Sequence, residues 1–237
     1  MIPAVRGIPL AGAHVSHIMS KELLLVQLKN NLARSYARAL KRSFDLVAAL
    51  AISILLLPLM ATIAVLVARS GGSPIFGHER IGRGGRPFKC YKFRTMVPDA
   101  AERLQKLLES SPQARAEWQR DQKLKNDPRI TPVGQFLRKT SLDELPQLWN
   151  VIKGDMSLVG PRPVVKAELE RYGDNAAYYC MTRPGITGLW QVSGRNDTGY
   201  DTRVYLDVWY LKNWSLWYDL AIMLRTVQVL TNRSGAY

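Results

Sequence analysis

Cysteine is nearly absent from this chain of 237 residues: only Cys90 and Cys180 occur, far apart and without C-x-x-C spacing. A zinc site or a disulfide framework is therefore not expected, and both thiols read as reduced and structural. Acidic residues are also scarce, 19 against 33 Lys and Arg, giving a formal charge of +14. Such an excess suits nucleic acid, anionic lipid or phosphorylated substrates and carries no information about fold. No D-x-D triplet is present, which counts against an ordinary metal-dependent glycosyltransferase. No P-loop, dinucleotide fingerprint, internal repeat or low-complexity tract is visible. The N-terminus lacks the basic, apolar, small-residue order of a cleaved secretory signal.

What the chain does have is a long uncharged segment. Leu46 to Ala68 runs for 23 residues without a charge. As a straight helix it would reach about 35 Å, enough for a hydrocarbon core of about 30 Å. Pro58 divides it, and proline removes a helix hydrogen bond and crowds the preceding turn, so a kink is expected there. Both flanks are positive: Arg38, Lys41 and Arg42 before, Arg69, Arg80, Arg83 and Arg86 after. Cytoplasmic flanks carry the excess of Lys and Arg, and neither flank yields. A re-entrant segment that enters and leaves on the cytoplasmic face meets both facts better than a kinked spanning helix or a buried core helix. The same segment favours a membrane surface over nucleic acid as the partner of the basic charge.

Around it the chain reads as follows. Residues 1–19 look irregular. Residues 20–42 read as a helix, basic toward its end, with Leu23, Leu24, Leu28, Leu32 and Tyr36 on one face. Residues 74–96 read as a β-hairpin about Gly84-Gly85, whose glycines are better explained by a turn than by a phosphate cradle. On its second strand Lys92 and Arg94 alternate with aromatics and share a face, which is either solvated or turned to phosphate. Residues 99–125 read as a charged surface helix. Thr131-Pro-Val-Gly134 opens another helix through Lys139. Ser141-Leu-Asp-Glu144 has the form of a capping box before Leu145, Leu148, Trp149 and Ile152, with Gly154 closing that helix. Leu206 to Leu230, with Trp209, Tyr210, Trp214, Trp217 and Tyr218, suits either a lipid interface or a core.

Two readings of Asp143 and Glu144 stay open at this level. Acidic residues stabilise helix N-termini without any catalytic role. The pair is also surrounded by cations: Arg138 and Lys139 before it, Arg162 after it. Val159-Gly-Pro-Arg-Pro-Val164, Arg183-Pro-Gly-Ile-Thr-Gly188 and Gln191-Val-Ser-Gly-Arg-Asn196 set further arginines on stiff loops. Arginine offers a planar fork matched to phosphate oxygens, and such loops are what a diphosphate cleft needs.

From Lys41 to the C-terminus the chain resembles the bacterial sugar transferases, the monotopic polyprenyl-phosphate phosphoglycosyl transferases. The resemblance is carried by Lys41-Arg-Ser-Phe-Asp45, Tyr91-Lys-Phe-Arg-Thr-Met96, Ser141-Leu-Asp-Glu-Leu-Pro-Gln147, Gly154-Asp-Met-Ser-Leu-Val-Gly-Pro-Arg-Pro163, Arg183-Pro-Gly-Ile-Thr-Gly188 and Ser193-Gly-Arg-Asn196. Many relatives have Ser before the membrane proline, where this chain has Leu57. The ending Asn232-Arg-Ser-Gly-Ala-Tyr237 is similar to short members that transfer galactose-1-phosphate in exopolysaccharide synthesis, with glucose-1-phosphate the nearest alternative.

The resemblance implies a fold and a chemistry. The fold is α+β: a mostly helical monotopic membrane protein with a kinked re-entrant helix and a small β-hairpin. Its parts would be an N-terminal extension at 1–40, the membrane helix at 41–72 and a cytoplasmic catalytic domain at 73–237. A UDP-hexose would bind with Mg²⁺ held at Asp143 and Glu144. Asp143 would attack the β-phosphate and expel UMP, and undecaprenyl phosphate would take the phosphosugar from the covalent intermediate. Glu144 would assist as base or metal partner. Lys92, Arg94, Arg138 and Arg162 would hold phosphates, and Arg195 would touch the nucleotide. The site would face the cytoplasm at the bacterial inner membrane, with membrane lipid as a partner, no nucleic acid, and homo-oligomerisation left open. A basic scaffold without activity would explain the charge and the apolar run, but not acids and cations interleaved on stiff loops.

Overall fold

A computed structural model describes residues 14–17, 24–27, 32, 34–121, 124, 127–194 and 199–231. At the N-terminal end, β1 (His14–His17) pairs antiparallel with β2 (Leu24–Gln27). The helix expected over 20–42 is thus corrected. Leu24–Gln27 is a strand, 14–17 is not irregular, and helix begins only at Ser35. Asn30-Asn31, poor helix formers, lie between the two elements.

Helix α1 (Ser35–Ala68) is an unbroken run of helical backbone that carries Pro58 inside it and crosses the expected boundary at residue 41. Its 34 residues would extend about 51 Å at about 1.5 Å each. Both of its ends pack on the same body. Ala37 and Ala49 join a core with Leu148, Val151, Met156 and Leu158. Ile63 and Val67, one turn apart, join Phe93 and Leu137 in a second cluster. Between them the helix shows apolar side chains to the outside, Leu55 with 77% of its surface exposed. Among the described residues, α1 is the helix long and apolar enough to cross a membrane.

Next comes the hairpin of β3 (Ile75–Ile81) and β4 (Pro87–Phe93), as expected from the sequence, with Phe76 opposite Lys92, His78 opposite Cys90 and Arg80 opposite Phe88. The charged stretch after it is two helices, α2 (Ala100–Ser110) and α3 (Pro112–Asp121), rather than one, because Pro112 starts a new helix where it cannot continue the old. Helix α4 (Pro132–Thr140) starts where expected: Thr131 Oγ1 accepts from the Gly134 amide at 2.9 Å. A short 3₁₀ turn over Leu142–Glu144 follows, then α5 (Gln147–Lys153), closed by Gly154 in the left-handed region.

The rest wraps around a pair of short parallel strands, β5 (Ser157–Val159) and β6 (Gly185–Thr187). Gly160 and Gly185 are packed backbone to backbone there: a Cβ on Gly185 would stand 2.1 Å from the Gly160 nitrogen. Helices α6 (Lys166–Glu170), α7 (Ala176–Met181) and α8 (Leu189–Val192) are short. The aromatic C-terminal stretch divides into α9 (Tyr200–Lys212) and α10 (Leu216–Thr231). Of its aromatics, Tyr210 and Trp214 are core, whereas Trp217 is 79% exposed.

A buried polar network ties α1 to this frame. Lys41 Nζ lies 2.7 Å from Asp219 Oδ2 on α10 and 3.8 Å from Asp45. Tyr210 OH and Trp214 Nε1 also donate to Asp219, at 2.6 and 3.0 Å. Asp45 accepts from Ser157 Oγ at 2.7 Å and from the Leu158 amide at 3.2 Å, both on β5. Buried charges persist where every partner is supplied, and these are.

Candidate active site

Asp143 and Glu144 lie on the 3₁₀ turn between α4 and α5, and the capping box expected there does not form. Ser141 ends α4 in the left-handed conformation (φ 57°) and its side chain makes no cap hydrogen bond. Helix α5 opens instead at Pro146-Gln147. The αL residue turns the chain out of α4, so the acids follow a helix C-terminus and are not spent on the amides of the next helix. With capping removed, the carboxylates are placed for side-chain chemistry.

Strand β4 supplies their cation. Lys92 Nζ is 2.6 Å from Glu144 Oε1 and 3.9 Å from Asp143 Oδ2. The strand is held in register with the acidic turn by Asn150 of α5, a fully buried residue. Its side chain accepts from the Tyr91 amide at 2.9 Å and donates to the Lys89 carbonyl at 2.7 Å. Arg138, in the last turn of α4, donates from Nε to Thr95 Oγ1 at 2.8 Å, just past β4. Gly134 makes this contact between α4 and the strand possible: a Cβ there would lie 2.0 Å from the Thr95 carbonyl oxygen.

The electrostatics follow from this packing. Burial pushes the Asp143 carboxyl up to about 6, with Glu144 adding to the rise and Lys92 and Arg138 opposing it. Its side chain is only 13% exposed. Near pH 7 Asp143 is thus an ionised, poorly hydrated carboxylate, a combination that favours nucleophilic attack. Burial lowers the Arg138 pKa, while Asp143 and Asp127 raise it. Cys90, on the Lys92 face of the hairpin, is driven to about 11 by burial and stays a neutral thiol. Cys90 and Cys180 are both free thiols here.

The structure sorts the expected site residues. Lys92, Asp143 and Glu144 meet, and Arg138 borders them. Arg162 is exposed, its guanidinium 5.9 Å from the Trp190 ring centre. Arg162 is near enough to Arg80 and Cys90 for its charge to act on both, and by register Arg80, Cys90 and Lys92 share one face of the hairpin. Arg94 goes elsewhere: its Nη2 donates to the carbonyls of Val67 (3.3 Å) and Gly72 (3.4 Å) and to Ser70 Oγ (3.4 Å) at the end of α1. Its hydrogen bonds fasten the apolar helix rather than reach toward the acids. Arg195, and the ending 232–237, lie outside the described residues.

Sequence reasoning missed Asn150, Thr95 and Arg80. Arg80 stands on the Lys92 face through the hairpin register, and burial and Arg162 lower its pKa. Period-two counting across both strands would have found it. Among the described residues no group of three or more His, Cys, Asp or Glu could hold a metal. Asp143 and Glu144 still fit Mg²⁺, which keeps several waters and takes one or two carboxylates alongside substrate phosphates.

Known proteins resemble this chain over most of its length. The bacterial sugar transferase profile matches residues 36–233. The chain is 60% identical over 237 residues to the UDP-galactose-lipid carrier transferase of Erwinia amylovora, covering all of this chain and 50% of that protein. It is 58% identical to the undecaprenyl-phosphate galactose phosphotransferase of Salmonella typhimurium, again over 100% of this chain and 50% of the relative. It is 52% identical over 198 residues to the exopolysaccharide production protein ExoY of Rhizobium meliloti, covering 83% of this chain and 88% of that one. The chain thus spans half the length of the first two relatives.

Proposed function

We propose a function that proceeds from one fact: this chain belongs to the bacterial sugar transferase family. It transfers a hexose-1-phosphate, galactose-1-phosphate first, from a UDP-sugar to undecaprenyl phosphate, in the first membrane step of exopolysaccharide synthesis. The sugar is read from the names of the relatives, a UDP-galactose-lipid carrier transferase and an undecaprenyl-phosphate galactose phosphotransferase.

The observation that supports the mechanism is Asp143 itself, a carboxylate raised by burial to about 6 and flanked by Lys92 and Arg138. A carboxylate oxygen of Asp143 forms a bond to the β-phosphorus while the bond from that phosphorus to the bridging oxygen breaks, and UMP leaves with that oxygen. A phosphate oxygen of the polyprenyl acceptor then attacks the same phosphorus and returns the carboxylate. Splitting the transfer in two lets one pocket serve two anionic partners in turn. Lys92 neutralises Glu144 and stands ready for the charge developing on the phosphoryl oxygens, and Arg162 and Arg80 face the same side. Mg²⁺, when held by Asp143 and Glu144 with the diphosphate, would supply further charge neutralisation.

Membrane placement is part of the proposal. Both ends of α1 pack on one body, and Arg94 fastens the far end. Ends on opposite sides of a bilayer could not do this, so the pattern supports a segment that enters and returns on the cytoplasmic face, with Pro58 as the bend. Exposed Trp217, Leu224 and Val227 on α10 suit the headgroup boundary. Purified protein given UDP-galactose, Mg²⁺ and undecaprenyl phosphate should release UMP and carry a phosphosugar adduct on Asp143. Full turnover by Asp143→Ala would overturn the nucleophile assignment.

A further inference from the structure

One cavity of small-molecule size lies away from the acidic pair. It lies at the other end of the hairpin, where the turn Gly82–Pro87 faces Gly154, α7 and the start of the Arg183 loop, and it holds about 770 Å³. Along β4 its Pro87 wall is five residues from Lys92, roughly 17 Å of strand. Neither Asp143, Glu144, Lys92 nor Arg138 lines it.

Its lining is strongly cationic. Arg38, Arg83, Arg86 and Arg183 face it, against the single carboxylate of Asp155. That carboxylate is already shared with Lys153 Nζ at 3.3 Å and with the Asn150 amide at 3.3 Å. Two of the arginines are fixed in place. Arg183 Nε donates to the Gly154 carbonyl at 2.6 Å, and Arg38 donates to the Leu32 carbonyl and Ser35 Oγ, each at 3.1 Å. Arg83 and Arg86 are exposed on the turn and make no ion pair among the described residues. Like charges crowd here: burial lowers the Arg183 pKa, and Arg42 and Arg83 lower it further. Four guanidinium groups around one cavity repel each other unless an anion fills it. Phe88, Met181 and Leu211 add apolar surface to the wall. The volume falls in the range of small-molecule sites, about 300–1,000 Å³.

We propose that this cavity is a second anion site that takes a molecule bearing two or more phosphate charges, its charged end on Arg83, Arg86 and Arg183 and its body on Phe88 and Met181. The glycines of the turn, Gly84 and Gly85 with φ of 72° and 73°, then serve more than chain reversal. They keep the rim free of side chains: a Cβ on Gly84 would meet nothing within 4 Å, so the approach is open. The phosphate could belong to a soluble metabolite or to an anionic lipid headgroup. The site stands apart from the transferase reading, because its occupancy can be measured without turnover.

The test is a calorimetric titration of the full chain, in nanodiscs of phosphatidylcholine, with inorganic pyrophosphate. Wild type should show a binding event that Arg83→Gln/Arg86→Gln weakens at least tenfold and that Lys92→Ala leaves in place. Both substituted residues are exposed on a turn, so the melting temperature should not move. An Arg83→Lys/Arg86→Lys variant should recover most of the affinity, which separates loss of charge from loss of fold. Repeating the titration in discs containing phosphatidic acid tells the sources apart: competition identifies a headgroup ligand, no competition a soluble one. Pyrophosphate binding that ignores the Gln pair, or that disappears wholly with Lys92→Ala, overturns the second site.

Discussion

Replacing Asp143 by Asn should make the protein more stable, and by an amount that depends on pH in a defined direction. The carboxyl stands at about 6 in the fold, raised mainly by burial, against an ordinary 3.8. A raised value means that the folded state holds the proton more tightly than the unfolded chain does. The stability from this group is complete below pH 3.8 and is lost as pH rises through about 6. At about 1.36 kcal/mol per pH unit the full deficit is about 3 kcal/mol. At pH 5 about half of it is already present. Asn keeps the shape and has no charge to desolvate, so Asp143→Asn should exceed wild type by about 1.5 kcal/mol at pH 5 and about 3 kcal/mol at pH 7.5. For a chain of this length that is roughly 6–12 °C in Tm at the higher pH. Thermal melts in one detergent, with chelator present to exclude divalent cations, give the comparison. A difference independent of pH, or a variant that loses stability as pH rises, would refute the placement of Asp143 as a buried carboxylate at cost to the fold. The same ionisation predicts that UMP release climbs through pH 6 in wild type.

Two further perturbations probe the frame. Asp219→Asn leaves Lys41 with only Asp45 at 3.8 Å, and breaking such a buried pair should cost about 3–5 kcal/mol in denaturant titrations. Gly134→Ala would set a methyl group against the Thr95 carbonyl, at 2.0 Å in the present geometry. Since α4 carries Arg138 and Thr95 receives it, UMP release should fall about tenfold or more while overall helix content by circular dichroism is retained.

The sequence showed the local elements well. The hairpin about Gly84-Gly85, the Thr131 cap of α4 and the Gly154 stop of α5 depend on residues next to each other, and all three stand. It misled where a local pattern had two solutions. Ser141-Leu-Asp-Glu144 fits a capping box, but the left-handed Ser141 belongs to the helix before it, and no short-range signal distinguishes the two. It was silent where pairing is distant. β5 and β6 are three residues each, too short for a period, and Lys41 meets Asp219 across 178 positions. Lys92 and Arg94 share a face as alternation requires. Which of them turns to the acids and which to α1 depends on where the helix ends, and α1 is placed by tertiary packing. Asn150 could not be found from its neighbours, because its role is to satisfy the backbone of another element.

The clamp at the end of α1 has a consequence for how the protein is made. Val67 is held by Phe93, Leu137 and Arg94, all of which leave the ribosome after it. While they are still being synthesised, the apolar segment is long enough to cross the bilayer and nothing yet holds its far end. In the re-entrant placement proposed above, its return to the starting side would be decided late, by a domain that folds behind it.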